Sequence, residues 1–199
     1  ALTAEEREQI AACLNPLGTG MMGSIEIPKI DVNLPIYQGT EEQQLQSGCG
    51  WWPGTSLPTG GSGTHCVITA HTGLTKAKLF TDLDRLETGD RFTLHILDRD
   101  MNYEVDQILV TEPEELAPLR IVPGEDLVSL YTCTPYGVNS HRLLVRGHRV
   151  DVQPEEVLSS ETPAGQISLH TNYFLWVLVG LLVTGCFVFL LWRWDKKKR

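Results

Sequence analysis

The sequence predicts a mostly β fold, a barrel or sandwich with short helices, followed by one membrane-spanning helix at its C-terminus. Three observations predict it. Several apolar runs alternate in period two and are bounded by Gly, Pro, Asn or Asp, the pattern of half-buried strands. Helical patterning is confined to short stretches. YFLWVLVGLLVTGCFVFLLW, residues 173–192, carries no charge and as a helix spans about 30 Å, the thickness of the hydrocarbon layer.

In chain order, residues 3–14 read as a short helix. Thr3 and Glu6 form a capping box, and Ile10 and Leu14 share a face. Residues 15–23 are a turn-rich link, so 1–23 form an N-terminal helix and link ahead of the main domain, 24–151. Strands are expected at 24–30, 32–37, 65–71, 91–98, 101–110, 126–133 and 142–151. Pro28 and Pro35 cannot donate to a ladder and mark edges or bulges. The glycine-rich stretch 54–64 reads as a surface loop. Residues 77–86 read as one or two helical turns, and 111–126 as a long acidic connection. Residues 152–172 are a polar, Pro-containing stalk. The helix 173–192 follows, with Tyr173, Trp176, Trp192 and Trp194 suited to the interfaces. The tail 193–199, RWDKKKR, is basic and therefore cytoplasmic by the positive-inside rule, which puts the domain outside.

The formal net charge is −9, although the last seven residues are strongly basic, so the rest is more acidic still. An acidic exterior domain argues against a nucleic-acid partner. Five cysteines, at 13, 49, 66, 133 and 186, form no disulfide framework. Cys186 falls in the membrane span. Cys49 and Cys66 could pair, and an unpaired thiol in an exported domain points to reactivity.

Cys133 is the thiol to watch. It ends the alternating run around Leu127, Ser129 and Tyr131, and Pro135, Gly137 and Asn139 supply a turn before a second strand from Arg142. If these are adjacent antiparallel strands, Cys133 and Arg142 face each other across the mouth of the connection. A permanent cation beside a thiol favours the nucleophilic thiolate. A strand cysteine is otherwise often a small buried hydrophobe, and a nucleophile needs an acid/base partner. His71 is the candidate. It closes the apolar run VITAH and precedes the turn Thr72-Gly73.

TAHTGL around His71, LYTCTPYG around Cys133 and HRLLVRG around Arg142 resemble the sortases. IEIPKI (25–30), LPIYQGT (34–40) and GTSLPTGG (54–61) follow the same family pattern in the same order. The C-terminal span with its basic tail is similar to the class C, pilin-polymerising branch. The resemblance implies a closed β-barrel with short helices, and a catalytic set of His71, Cys133 and Arg142. It implies transpeptidation at an LPxTG-like sorting motif, without cofactor or metal. Cys133 would form an acyl-enzyme at the Thr carbonyl, His71 would protonate the leaving glycine amine, and Arg142 would hold the oxyanion. A lysine amine of a pilin subunit would resolve the thioester; in a housekeeping-type sortase the acceptor would be a cell-wall peptidoglycan precursor. Serine stands at 129 where the family pattern has threonine. Trp51-Trp52 replace the usual histidine, most simply as packing. The branch's Asp-Pro-aromatic lid motif does not occur, so the expectation is either a lid that preceded Ala1 or a lidless enzyme, the missing signal segment favouring the first.

Other readings fit less well. Papain-like enzymes place cysteine before histidine, and TCTPYG lacks the caspase signature. A non-enzymatic anchored surface protein would need Leu-Pro-x-Thr-Gly just before the span, where SSETPAGQ stands; LPTGG at 57–61 reads as a turn. His65, Cys66 and His71 lack zinc spacing. The acidic residues Glu112, Glu114, Glu115, Glu125 and Asp126 lack the spacing of a calcium loop and read as solvated.

Overall fold

A computed structural model of the chain describes residues 14–15, 18–73 and 77–151, with positions 182 and 193. Eight strands close into a barrel. In chain order they are β1 (Met21–Ile27), β2 (Val32–Gln38), β3 (Cys49–Trp51), β4 (Thr64–Thr69), β5 (Arg91–Ile96), β6 (Arg99–Thr111), β7 (Asp126–Thr134) and β8 (His141–Val150). Around the barrel the order is β1-β2-β3-β4-β7-β8-β6-β5, with β5 pairing back onto β1. Only β2–β3 and β4–β7 are parallel. A short helix, α1 (Glu42–Leu45), precedes β3, and short 3-10 turns lie at Pro28–Ile30, Leu83–Arg85 and Ala117–Leu119.

The barrel interior takes one face of each strand. Ile25, Ile27, Ile36, Ile68, Phe92, Leu94, Tyr103, Leu130 and Val145 are buried there, and Phe80 and Leu83 add to this core from the β4–β5 connection. Phe92 and Tyr103 stack at 5.5 Å. Gly147 on β8 leaves room for them, since a Cβ there would lie 2.7 Å from the Phe92 ring. A second, smaller cluster sits on the outer face of β4, β7 and β8. It is built from Val67, Tyr131 and Leu144, with Trp52, Leu109 and Leu119 against it.

Of barrel and sandwich, the chain forms the barrel. The expected strand 24–30 starts earlier, at Met21, and stops at Ile27, because Pro28 opens a 3-10 turn that Asp31 closes in a left-handed conformation. Pro35 lies inside β2 without breaking a ladder. The β3 partner begins only at Ile36, so no second neighbour needs the missing N–H. The helical reading of 77–86 contracts to the 3-10 turn Leu83–Arg85. Cys49 and Cys66 are both free and buried. The β3–β4 register aligns Gly50 with Thr69, which puts Cys49 beside Ala70, four residues along β4 from Cys66. At about 3.3 Å per residue that separation is too large for a bridge.

Trp51 is packing, as expected. It is buried, and its indole N–H donates to the Ser56 carbonyl at 2.8 Å. Among the described residues no helix is long and apolar enough to cross a membrane. The expected helix at 3–14, the stalk 152–172 and the expected span 173–192 lie outside the described residues, apart from Leu14 and Leu182, as does the basic tail apart from Arg193.

Candidate active site

The site is set by strand register. On β7–β8, Cys133 is paired directly with Arg142. Cα atoms of such antiparallel partners lie about 4.5–5.5 Å apart, with side chains on the same face. On the other flank, parallel β4 and β7 align Thr69 with Tyr131, and the Ala70 N–H continues the ladder to the Tyr131 carbonyl at 3.3 Å. Extended two residues past Thr69, where β4 ends, that register sets His71 alongside Cys133. The three residues named from sequence therefore fall in one row across the ends of β4, β7 and β8.

Two hydroxyls, one buried and one half-buried, lock the row from the barrel side. Thr132, buried, donates to the Ala70 carbonyl at 2.7 Å and meets the Thr72 hydroxyl at 2.7 Å. With the Thr132 proton committed to Ala70, Thr72 is the donor in the second bond. Each threonine is the chain neighbour of a row residue, so the bond ties the backbone under His71 to the backbone under Cys133. Sequence reasoning missed this role. Its signal was the repeated hydroxyl beside each candidate, in HT and TC.

Each polar member has a defined setting. The Arg142 Nη1 donates to the carbonyls of Asn139 (3.1 Å) and His141 (3.0 Å). That holds the guanidinium at the β7–β8 turn and, beyond its hydrogen bond with Tyr131, leaves N–H groups for another acceptor. The Tyr131 hydroxyl is close by. Burial pushes its phenol up, while the Arg142 charge and hydrogen bond oppose the shift. Trp52 meets Tyr131 edge-on at 5.1 Å, so the second of the two tryptophans does border the site. The His71 Nε2 lies 3.2 Å from Glu42 Oε2, which leaves Nδ1 as the other ring nitrogen. Glu42 comes from α1, which the sequence pattern did not reveal. Its carboxyl is held below the ordinary range, first by the Gln46 amide and then by His71.

Cys133 is partly exposed, whereas Cys49 and Cys66 are buried, and burial pushes both of those thiols far above the ordinary range. Of the acidic residues considered for calcium, Glu112 faces His141 at 3.3 Å. Asp126 accepts from the Gly61 N–H and the Tyr103 hydroxyl.

A thiol, an imidazole and a guanidinium in one row at the end of a closed barrel suit cysteine-based acyl transfer. The family model for the sortase domain matches residues 25–150, and the chain belongs to the sortase family, a family of cysteine transpeptidases. Among solved structures it is similar to sortase C1 from Streptococcus agalactiae. The two are 49% identical with a TM-score of 0.75, over 76% of this chain and 79% of that one. A pilus-related sortase C of Group B Streptococcus is 47% identical with a TM-score of 0.66, over 67% of this chain and 69% of that one. Sortase A of Streptococcus agalactiae is 28% identical over 117 residues, which cover 57% of this chain and 47% of that protein. The chain thus spans about half the length of that relative.

Proposed function

We propose that this protein is a membrane-anchored cysteine transpeptidase of the pilus-assembling kind. In this reading it cleaves an LPxTG-like sorting motif between Thr and Gly and joins the Thr carbonyl to a lysine amine of a pilin subunit. The observation that carries the reading is the facing of Cys133 and Arg142 across β7–β8, with His71 two residues past the end of adjacent β4, in a chain whose structural relatives include a pilus-related sortase C. The apolar stretch 173–192 and the basic tail support an anchor that keeps the domain on the outer face.

The chemistry divides among the three side chains. The Cys133 thiolate attacks the Thr carbonyl carbon. The carbonyl π pair moves to oxygen, where the free N–H groups of Arg142 stabilise the developing charge. Protonated His71 gives its proton to the glycine nitrogen as the C–N bond breaks, leaving a thioester on Cys133 and a neutral imidazole. An incoming amine then attacks the thioester, and His71 accepts a proton as the thiolate leaves.

The test follows an LPxTG-type peptide incubated with the full chain in detergent, with and without hydroxylamine, beside Cys133→Ala. Thr–Gly cleavage that yields a hydroxamate, absent in the variant, supports transpeptidation through Cys133. Cleavage that ignores hydroxylamine points to a peptidase. No cleavage across a panel of variant motifs, with Cys133 resistant to alkylation, overturns the reading.

A further inference from the structure

A small pocket opens beside Cys133. It lies between the β4–β5 connection and the β7–β8 turn. Thr132, Thr134 and Leu143 form its barrel side, and Thr72, Phe80, Thr81, Asp84 and Tyr136 close the rest. It offers about 30 Å³, room for the slender end of a side chain rather than a ring.

Its walls have two characters. Phe80 and Leu143 are buried apolar groups. The Tyr136 ring lies against Gly73, where a Cβ would sit 3.0 Å from the ring carbon Cε2. The Gly73 N–H in turn donates to the Thr81 hydroxyl at 3.1 Å, which ties two parts of the β4–β5 connection together. At the rim stands the carboxylate of Asp84. The cations around it are committed to its neighbour: Asp82 binds Lys78 at 2.9 Å and Arg85 at 3.4 Å. Among the described residues Asp84 itself has no ion-pair or hydrogen-bond partner.

A narrow bore lined by four threonines as well as Phe80 and Leu143, a carboxylate with no partner among the described residues, and the nucleophilic sulfur in the same lining fit the tip of a primary ammonium. We infer that this pocket is the acceptor subsite, and that Asp84 receives the ε-ammonium of the incoming lysine while the exposed Tyr136 ring flanks its methylene stem. The inference rests on the transpeptidase reading above and names the group that selects the amine.

The step balances as follows. The ammonium held at Asp84 loses one proton to solvent at the pocket mouth and becomes a neutral amine. Its nitrogen pair forms the C–N bond to the thioester carbon, and a second proton passes to neutral His71. The C–S pair returns to Cys133 as thiolate, and an amide remains. Cys133 and His71 end in the states with which the cycle began.

Hydroxylamine is mostly uncharged near pH 7.5, so it does not need a carboxylate to recruit it. The full chain in detergent, acylated by an LPxTG-type peptide, is offered Nα-acetyl-lysine amide and hydroxylamine together, and the ratio of lysine adduct to hydroxamate is read by mass spectrometry. Asp84→Asn is expected to lower that ratio about fivefold, the scale of a partly exposed ion pair. Asp84→Glu should restore much of it, and Asp84→Lys should fall below Asn. A ratio unchanged in Asp84→Asn and Asp84→Lys overturns the inference while leaving transpeptidation intact. If the wild type forms neither product, the transpeptidase reading fails, and the inference with it.

Discussion

Thr132→Val removes one hydroxyl and almost no volume. In the structure that hydroxyl makes two hydrogen bonds of 2.7 Å, to the Ala70 carbonyl and to Thr72, at a buried position. A buried neutral hydrogen bond contributes about 1 kcal/mol net, and a partner left unsatisfied costs about 1–3 kcal/mol. Thr72 can turn toward the Phe80 carbonyl, 3.4 Å away, a poorer bond that recovers part of the loss. The expected destabilisation is about 1–3 kcal/mol by urea unfolding at constant m. The acylation rate should fall further than stability implies, about tenfold or more, because small misplacements of reacting groups are amplified in rate. Thr72→Val breaks the same bond from the other side, so the double variant should cost less than the sum of the two singles. If Thr132→Val keeps both stability and acylation rate, or the two variants are additive, the hydroxyls do not hold the row together.

Further outcomes follow from the burial and charge already described. Iodoacetamide near neutral pH should label Cys133 at least about tenfold faster than Cys49 or Cys66, whose burial disfavours the thiolate; peptide mapping that finds equal rates would count against the exposed-nucleophile arrangement. His65 is buried, its Nδ1–H donating to the Arg120 carbonyl at 2.9 Å and its Nε2 accepting from the Ser129 hydroxyl at 2.8 Å. Burial, assisted by the Arg146 charge, holds its pKa below the ordinary histidine value. The unfolded chain therefore binds the proton first, and stability should fall as pH drops below about 6.5. His65→Gln should flatten that part of the curve, and an unchanged slope would refute the assignment. Gly147→Ala would press a Cβ to 2.7 Å and 2.9 Å from two Phe92 ring atoms and 3.1 Å from the Tyr103 Cβ, an overpacking worth about 1–3 kcal/mol and visible in thermal unfolding.

What the sequence made legible was what neighbouring residues decide. β7 and β8 are adjacent in sequence, alternate cleanly and flank a Pro- and Gly-marked turn, so the facing of Cys133 and Arg142 followed from counting. The meeting of His71 with Cys133 depends on the parallel pairing of β4 with β7, across roughly 60 residues of chain, and no local pattern encodes it. β3 is three residues long, too short to display a period, though its burial is complete. α1 reads EQQL, with no apolar stripe, so the element that carries Glu42 to His71 was silent. The Asp84 pocket was silent for a related reason: its walls come from two connections that are distant in sequence and irregular in form.

The three row residues are not held equally. Cys133 and Arg142 are fixed by the β7–β8 ladder, and Arg142 again by two carbonyls. His71 lies beyond the end of β4, and the ring contact recorded for it is with Glu42, whose side chain is 65% exposed. An exposed pair of this kind is weak and screened by salt. A weak hold suits the role proposed for His71, which would serve two nitrogens in turn, one leaving and one arriving, while the sulfur and the guanidinium stay in place. The pairing can be read from the Glu42 side. Its carboxylate is favoured in the folded protein, so its contribution is present above the unfolded carboxylate pKa and is lost as pH falls through the lowered one. Gln46 is the larger cause and survives in His71→Ala, so the carboxyl should move only part of the way back up. NMR titration of the Glu42 side chain should show that partial rise, and high salt should shrink it. Identical Glu42 titrations in wild type and His71→Ala would mean that the imidazole does not rest on α1, and that something else must aim it at the thioester.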